Sequence, residues 1–410
     1  MWQAGTAIVD FTNPDACKWY SSHLARLMAL GVDCFKTDFG ERIPFNPAQV
    51  RYHNAADPVR MHNFYSFIYN KTVYEAMQSV GRDGCLFARA ATAGGQRFPV
   101  HWRGDCESTF VAMAGTLRGG LSLGLSGFGF WAHDIGGFEG TPSPAVYKRW
   151  VQFGLLSSHS RLHGSDSHRV PWLFGNDHPE SEKCSTVLRD CVKRKLSLLP
   201  YLLRTGREAH QNGIPVMRAM FLEFPDDLNM YQLDTQYMLG ANLLVAPVFS
   251  EEGKVSFYVP HTGHENAAAA KWRSWFDHTK TYEQGCWYTE THDFNTLPLL
   301  VRPGTVTAIN PKLNAPEDGD YLAGLELLVN GPLEGRDRRA DRGLEEGGLG
   351  RHDSPGGPRR PAPAPPAARC TGRRETQYWR EWREDGRDEP ERRGRHAPGA
   401  RLAQRRQISL

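Results

Sequence analysis

Phe35-Lys36-Thr37-Asp38-Phe39-Gly40-Glu41-Arg42 is the stretch on which the reading of this chain turns. Val32-Asp33-Cys34-Phe35-Lys36 has the make-up of a short strand, and it runs directly into Asp38 and a loop marked by Gly40 and Pro44. In a β/α barrel the reactive groups sit at the C-terminal ends of strands, where the βα loops begin. Lys36 lies two residues before Asp38, so the period of a strand puts both side chains on one face. A cation there favours the ionised carboxylate, which is the form a nucleophile needs. The plainer reading is an aspartate that caps a loop, so the surrounding sequence has to decide.

Working outward, residues 1 to 208 alternate short apolar strands with amphipathic helices, the pattern of β/α units. Ala7-Ile8-Val9-Asp10-Phe11 reads as a strand and Asp15 to Leu30 as a helix. Asp57-Pro58 opens another helix, with the aspartate as cap and proline at the first helical position. Met61, Phe64 and Ile68 give it an apolar stripe. Cys85-Leu86-Phe87-Ala88 reads as a strand, and so does the glycine-rich run from Gly124 to Trp131.

From 209 to 310 the pattern changes to short alternating segments. Leu243-Leu244-Val245, then Val255, Phe257 and Val259, then Trp272, Trp275, Phe276, Trp287 and Tyr288 read as a small β-sandwich. Residues 311–330 look like the start of a further, distal β domain. Beyond 331 arginine recurs in every block of ten while no lysine follows Lys312, and Pro361 to Ala368 is pure Pro/Ala. That composition reads as a disordered tail. An out-of-frame translation of GC-rich coding sequence would give the same mixture.

Other polar side chains fall at successive strand ends. Asp105 follows Trp102 and Gly104, and a carboxyl beside an indole is poorly solvated, which raises its pKa and suits a general acid. Asp38 and Asp105 would then be held in opposed protonation states, the arrangement of a two-carboxylate glycosidase. Arg89 closes the strand at Phe87-Ala88, Asp134 lies in Trp131-Ala132-His133-Asp134-Ile135-Gly136-Gly137-Phe138, and His163 lies in Arg161-Leu162-His163-Gly164. Trp102, Phe130 and Trp131 offer apolar faces for a sugar ring, although each would serve equally as core.

Several alternatives fall away. Asp38-Phe39-Gly40 matches a kinase triplet but has no HRD loop or kinase glycine loop before it. Arg103-Gly104-Asp105 spells an integrin-binding tripeptide inside a larger pattern. Gly119 to Gly129 is not followed by Lys-Ser/Thr, so no phosphate loop is implied. A net charge of +3 does not argue for nucleic acid, and the arginine tail lacks RGG or RS repeats. The 8 cysteines include no CxxC pair, which argues against a structural zinc or redox motif and for a reduced, cytoplasmic setting. No apolar run approaches the ~20 residues of a membrane span.

Taken together, Lys36-Thr37-Asp38-Phe39-Gly40-Glu41-Arg42, His101-Trp102-Arg103-Gly104-Asp105-Cys106, Phe130 to Phe138 and Arg161 to Gly164 resemble glycoside hydrolase family 31, in its bacterial-type α-xylosidase branch. The resemblance implies a (β/α)8 TIM barrel followed by β-sandwich domains, and a retaining mechanism that uses no metal or cofactor. It implies Asp38 as nucleophile and Asp105 as acid/base. Lys36, Arg89, Trp102, Asp134 and His163 would contact the sugar, with Glu41 behind them. The substrate would be a terminal α-linked xylose on an oligosaccharide; an α-glucosidase and a non-catalytic carbohydrate-binding fragment are the alternatives. Whether the chain self-associates stays open. Lys36 stands where the α-glucosidase branch usually has a tryptophan, and Arg103 stands where the family mostly has a small residue. A complete barrel needs about 250 residues. The match starts in what resembles the third β/α unit, so the barrel is read as incomplete, and the chain is expected to be unstable or inactive by itself.

Overall fold

The computed structural model describes residues 7–175, 179–263, 270–313 and 321–331. The tail expected to be disordered or out of frame lies, from 332 onward, outside the described residues.

A short polar side chain before an apolar run starts each of the first four helices. Asn13 caps α1 (Pro14–Ala29), Asp57 caps α2 (Pro58–Ser79), Thr109 caps α3 (Phe110–Leu125) and Ser143 caps α4 (Pro144–Leu155). In each case the side-chain oxygen accepts from a backbone N–H of the first turn, and three of the four place proline inside that turn, where its missing N–H costs nothing.

Between these helices run short parallel strands. β1 (Phe35–Thr37), β2 (Leu86–Ala88), β3 (Val100–Trp102) and β4 (Trp131–Ala132) form a four-stranded sheet in that order. β5 (Asp134–Ile135) continues the wall and pairs in parallel with β6 (Arg161–Leu162). His133 separates β4 from β5. Burial pushes its pKa down to about 3, so the ring is neutral. Its Nδ1 accepts from Trp150 Nε1–H at 3.1 Å, which leaves Nε2–H to donate to Ser157 Oγ at 3.1 Å. A buried histidine thus pins the interruption between the two strands.

Two strand expectations are corrected. Ala7–Phe11 carries no strand ladder among the described residues, although Ile8 and Val9 pack on the apolar layer of α1 and α2 and Tyr65 Oη donates to Val9 O at 2.9 Å. A strand is defined by a neighbour, and apolar alternation alone does not supply one. The run from Gly124 to Trp131 is the end of α3, a turn, and then β4. Just before that run, Gly120 of α3 serves close packing of the helix on the sheet: a Cβ there would lie 2.0 Å from the Trp131 ring.

After α5 (Cys184–Ser197) and α6 (Leu199–Asn212) the chain becomes β-rich. The strands are β7 (Met217–Arg218), β8 (Tyr237–Leu239), β9 (Leu243–Val245), β10 (Lys254–Val259), β11 (Trp272–Ser274), β12 (Thr281–Tyr282), β13 (Cys286–Thr291) and β14 (Leu299–Val301). Six of them make an antiparallel sheet in the order β12-β11-β14-β9-β8-β7, and the two-stranded antiparallel ladder β10-β13 packs its Phe257 and Val259 against Met238, Leu244 and Trp272 of that sheet. β15 (Thr305–Ile309) pairs with β16 (Glu326–Asn330).

The barrel and the β-rich part share one core. Met113, Trp131 and Trp150 belong to the same buried cluster as Tyr237, Val245 and Leu299. Helix α4 is the joint. Arg149, 1% exposed, donates to the backbone carbonyls of Ser250, His292 and Asp293, and Gln152 donates to those of Phe294 and Thr296. The Phe294 ring lies between Lys148 Nζ at 3.6 Å and the Arg149 guanidinium at 4.4 Å. Arg149 leaves water in exchange for carbonyl oxygens and a π face, whereas Lys148, whose buried Nζ has no hydrogen-bond partner, has the π face alone.

Candidate active site

At the top of β1 the backbone turns sharply. Phe39 and Arg42 hold left-handed conformations at φ 56° and 57°, with Gly40 at φ 90° between them. A non-glycine residue held there costs roughly 1–3 kcal/mol, which the surroundings must over-determine. Gly40 is required for space as well, since a Cβ there would sit 3.2 Å from the Tyr69 ring and 3.3 Å from Ala90 Cβ. The reversal turns Glu41 back toward the strand end from which Asp38 projects.

Arg89, at the top of β2, gathers that strand end. Its Nη1 donates to Asp38 Oδ1 at 3.4 Å and to Asp105 Oδ2 at 3.1 Å, and its Nε lies 2.8 Å from Glu41 Oε1. Two carboxylates on one nitrogen can be no further apart at those oxygens than the two contacts laid end to end. That limit sits at the short end of the roughly 6.5–9.5 Å typical of inverting glycosidase pairs and leaves open the roughly 5–5.5 Å of retaining pairs.

Lys36 reaches Asp38 as strand periodicity requires, with Nζ 2.5 Å from Oδ2. Burial pulls the Asp38 pKa up. The Lys36 hydrogen bond and charge, the Phe39 N–H and the Arg89 guanidinium together outweigh it, and the carboxyl is held below its usual range. The Lys36 ammonium also lies 4.3 Å from the Trp102 ring centroid, and Trp102 stacks on Phe87 at 4.9 Å. Trp102 therefore faces the barrel interior, while Trp131 is buried between sheet and α3 and Phe130 packs beside His159 and Gly206, on the core side.

Asp134 is enclosed, its side chain 0% exposed and paired with Arg161 through Nε at 2.7 Å and Nη2 at 2.5 Å. Burial raises its pKa to about 6 against the opposing pull of Arg161 and Lys36. His163 is half-buried against Phe138. Burial, with Arg161 and Lys36, lowers its pKa to about 4, while Asp38 and Asp105 act the other way, so it is neutral around pH 7. The mutual influence of these groups puts Lys36, Asp38, Arg89, Asp105, Asp134 and His163 in one neighbourhood.

A raised carboxyl pKa carries a stability consequence of definite sign. Folding gains from a protonated Asp134 fully below about pH 4, and that gain is lost as pH rises through about 6, on the order of 3 kcal/mol in all. Thermal melts between pH 4 and pH 7 should show wild type losing ground to Asp134→Asn across that window. Parallel curves would remove the titration from Asp134.

The neighbour of Asp105 differs from the expectation by adjacency. The group against the Asp105 carboxylate is Arg89, whereas the Trp102 indole is turned toward Lys36, Phe87 and Arg161. Arg103 turns away from the site and lies along α3 over Gly115 and Gly119, donating to Thr116 Oγ1 at 2.8 Å and Ala112 O at 3.3 Å. Arg161 received no role from the sequence, yet it holds Asp134 and lies 4.9 Å from the Phe87 ring and 5.2 Å from that of Trp102. Its position two residues before His163 at a strand end was the available signal. Among the described residues no group of three or more His, Cys, Asp or Glu side chains is placed to hold a metal ion, and no helix is long and apolar enough to cross a membrane.

Comparison with known proteins meets this architecture at both of its parts. Residues 1–205 match the glycosyl hydrolases family 31 TIM-barrel domain and residues 213–307 match the glycosyl hydrolase family 31 C-terminal domain. The chain is 65% identical over 336 residues to an α-xylosidase of Emericella nidulans, covering 82% of this chain and 42% of that protein. It is 46% identical over 327 residues to the α-xylosidase XylQ of Lactiplantibacillus pentosus, covering 76% and 40%. Among solved structures, the GH31 dextranase of Flavobacterium johnsoniae complexed with glucose superposes with a TM-score of 0.69 at 28% identity, over 82% of this chain and 43% of that one. The chain thus spans about two fifths of the length of these relatives. A barrel whose strand ends converge on paired aspartates, joined to a β-rich part, with both parts matched by models of one family, makes this chain a member of glycoside hydrolase family 31.

Proposed function

We propose that the site is that of a retaining α-xylosidase, which removes terminal α-linked xylose from oligosaccharides by double displacement. The observation that carries this reading is the single Arg89 nitrogen shared by the Asp38 and Asp105 carboxylates. Asp38, kept ionised by Lys36 and Arg89, is the nucleophile. Asp105 gives its proton to the departing oxygen as Asp38 attacks the anomeric carbon, forming a β-linked xylosyl ester and breaking the glycosidic bond. Asp105 then takes a proton from water, which attacks from the face the leaving group vacated, frees Asp38 and returns α-xylose. Arg89 and His163 hold the sugar hydroxyls, while Asp134, enclosed and without exposed surface, acts behind them by fixing Arg161 rather than by touching the sugar. His163, being neutral, supplies one N–H donor and one acceptor.

Specificity rests on the Lys36 and Trp102 pair. A xyloside lacks the hydroxymethyl group of a glucoside, and discrimination against that group is assigned to steric blocking by the Lys36 side chain, whose ammonium sits on the Trp102 indole. The two relatives named above are called α-xylosidases, and their identity with this chain supports the same branch. The free cysteines and modest net charge favour a cytoplasmic enzyme with no nucleic-acid or membrane partner.

The test uses the chain by itself and the chain co-expressed with the N-terminal part of an α-xylosidase relative. Aryl α-xyloside should be hydrolysed faster than aryl α-glucoside, with α-xylose as the first product seen by NMR. Preference for the glucoside would move the assignment to α-glucosidase. Saturable sugar binding without turnover in both preparations would leave a carbohydrate-binding fragment.

A further inference from the structure

The opposite end of the same two strands carries a second reactive pair. Phe35 pairs with Leu86 and Lys36 with Phe87 in parallel register. One residue further toward the N-termini, that register brings Cys34 beside Cys85. Strand period two puts Cys34 on the face of Lys36 and Cys85 on the face of Phe87. Both of those side chains lie against Trp102, so the two thiols share the face that looks into the barrel, at its floor. Neighbouring strands run ~4.8 Å apart, inside the ~4.4–6.8 Å between Cα atoms that a disulfide spans.

Three observations set this pair apart. Both cysteines are free and exposed, whereas Cys106, Cys184 and Cys191 are buried; Cys286, also exposed, lies on β13 of the β-rich part with no cysteine across from it in the register, where Val259 is its partner. The loops that enter the two strands are already tied across the same gap by Arg82 and Asp33 at 2.9 Å. Cys85 also feels its neighbour: after burial, Cys34 is the largest influence pushing the Cys85 pKa up.

We propose that Cys34 and Cys85 form a cross-strand dithiol that closes to a disulfide by exchange with a low-molecular-weight disulfide, clamping β1 to β2 at the barrel floor. One thiolate attacks the small disulfide, releasing one small thiol and leaving a mixed disulfide on the protein. The second thiolate displaces the other small thiol, so two protein thiols are oxidised and one small disulfide is reduced to two thiols. Closing the loop from 34 to 85 restricts the unfolded chain. It also fixes the spacing of the two strands that carry Asp38 and Arg89 at their other ends.

The experiment treats the full chain with oxidised glutathione, blocks the remaining thiols and maps peptides by mass spectrometry. The expected result is one peptide pair linked through Cys34 and Cys85, removed by dithiothreitol, with Tm raised by roughly 5 °C or more in the linked form. Cys34→Ser and Cys85→Ser should each stop at glutathione attached to the remaining cysteine. Separate alkylation or stable glutathionylation of both residues in the wild-type chain, or linkage of either to another cysteine, would overturn the proposal. The wild-type map decides the matter even if a variant fails to fold.

Discussion

Asp38→Ala is expected to lower kcat on an aryl α-xyloside by about 10⁴–10⁶-fold, the scale seen when an enzyme loses its nucleophile. The reason lies in what converges on that carboxylate. Lys36 at 2.5 Å and Arg89 at 3.4 Å keep it charged, and no other carboxylate is held by both cations among the described residues. The variant tests the role as well as the rate. With α-xylosyl fluoride as donor and azide as a replacement nucleophile, activity should return and the product should be the β-xylosyl azide, because azide enters from the face Asp38 occupied. Recovery of the α-azide, or a loss of activity under tenfold, would take the nucleophile's role away from Asp38.

Asp105→Ala should give a different pattern. The proton it supplies matters most where the leaving group is basic, so kcat/KM on an alkyl or sugar α-xyloside should fall by about 10²–10⁴-fold. α-Xylosyl fluoride, which needs little protonation, should react through its first step almost as in wild type. Azide would then intercept the xylosyl ester from the opposite face and yield the α-azide. Equal loss on both classes of substrate would reduce Asp105 to a structural partner of Arg89. The pair of variants, read by the anomeric form of the azide, separates the two aspartates even if both abolish ordinary turnover.

Much of this site was legible because strand chemistry is local. Lys36 and Asp38 meet because period two brings them together. Asp57-Pro58 declares a helix start as plainly in sequence as in space. The part that was not legible depends on which residues face each other across the barrel. An indole three residues from Asp105 looked like its neighbour, but the sheet turns Trp102 inward to Lys36, and an arginine from the adjacent strand takes the place beside the carboxylate. Arg161 escaped notice for the same reason, since its partner Asp134 lies on another strand. The run from Gly124 to Trp131, which holds the last turn of α3, was read as a strand because a run rich in glycine and apolar residues suits either element. Only the Trp131 ring pressed against Gly120 shows that the absent side chains are needed for a helix to approach the sheet.

The seam between barrel and β-rich part is where one would expect freedom to recombine, since each part is matched by its own family model. Arg149 and Gln152 make it a weld: their hydrogen bonds fall on the backbone of the 292–296 loop, and its Phe294 ring is held between Lys148 and Arg149. Grafting a foreign β-rich part onto this barrel would strip buried Arg149 of its carbonyl acceptors and buried Lys148 of its π face. Through helix α4 the two parts are interlocked, so a change in the 292–296 loop would be felt in the barrel wall as well.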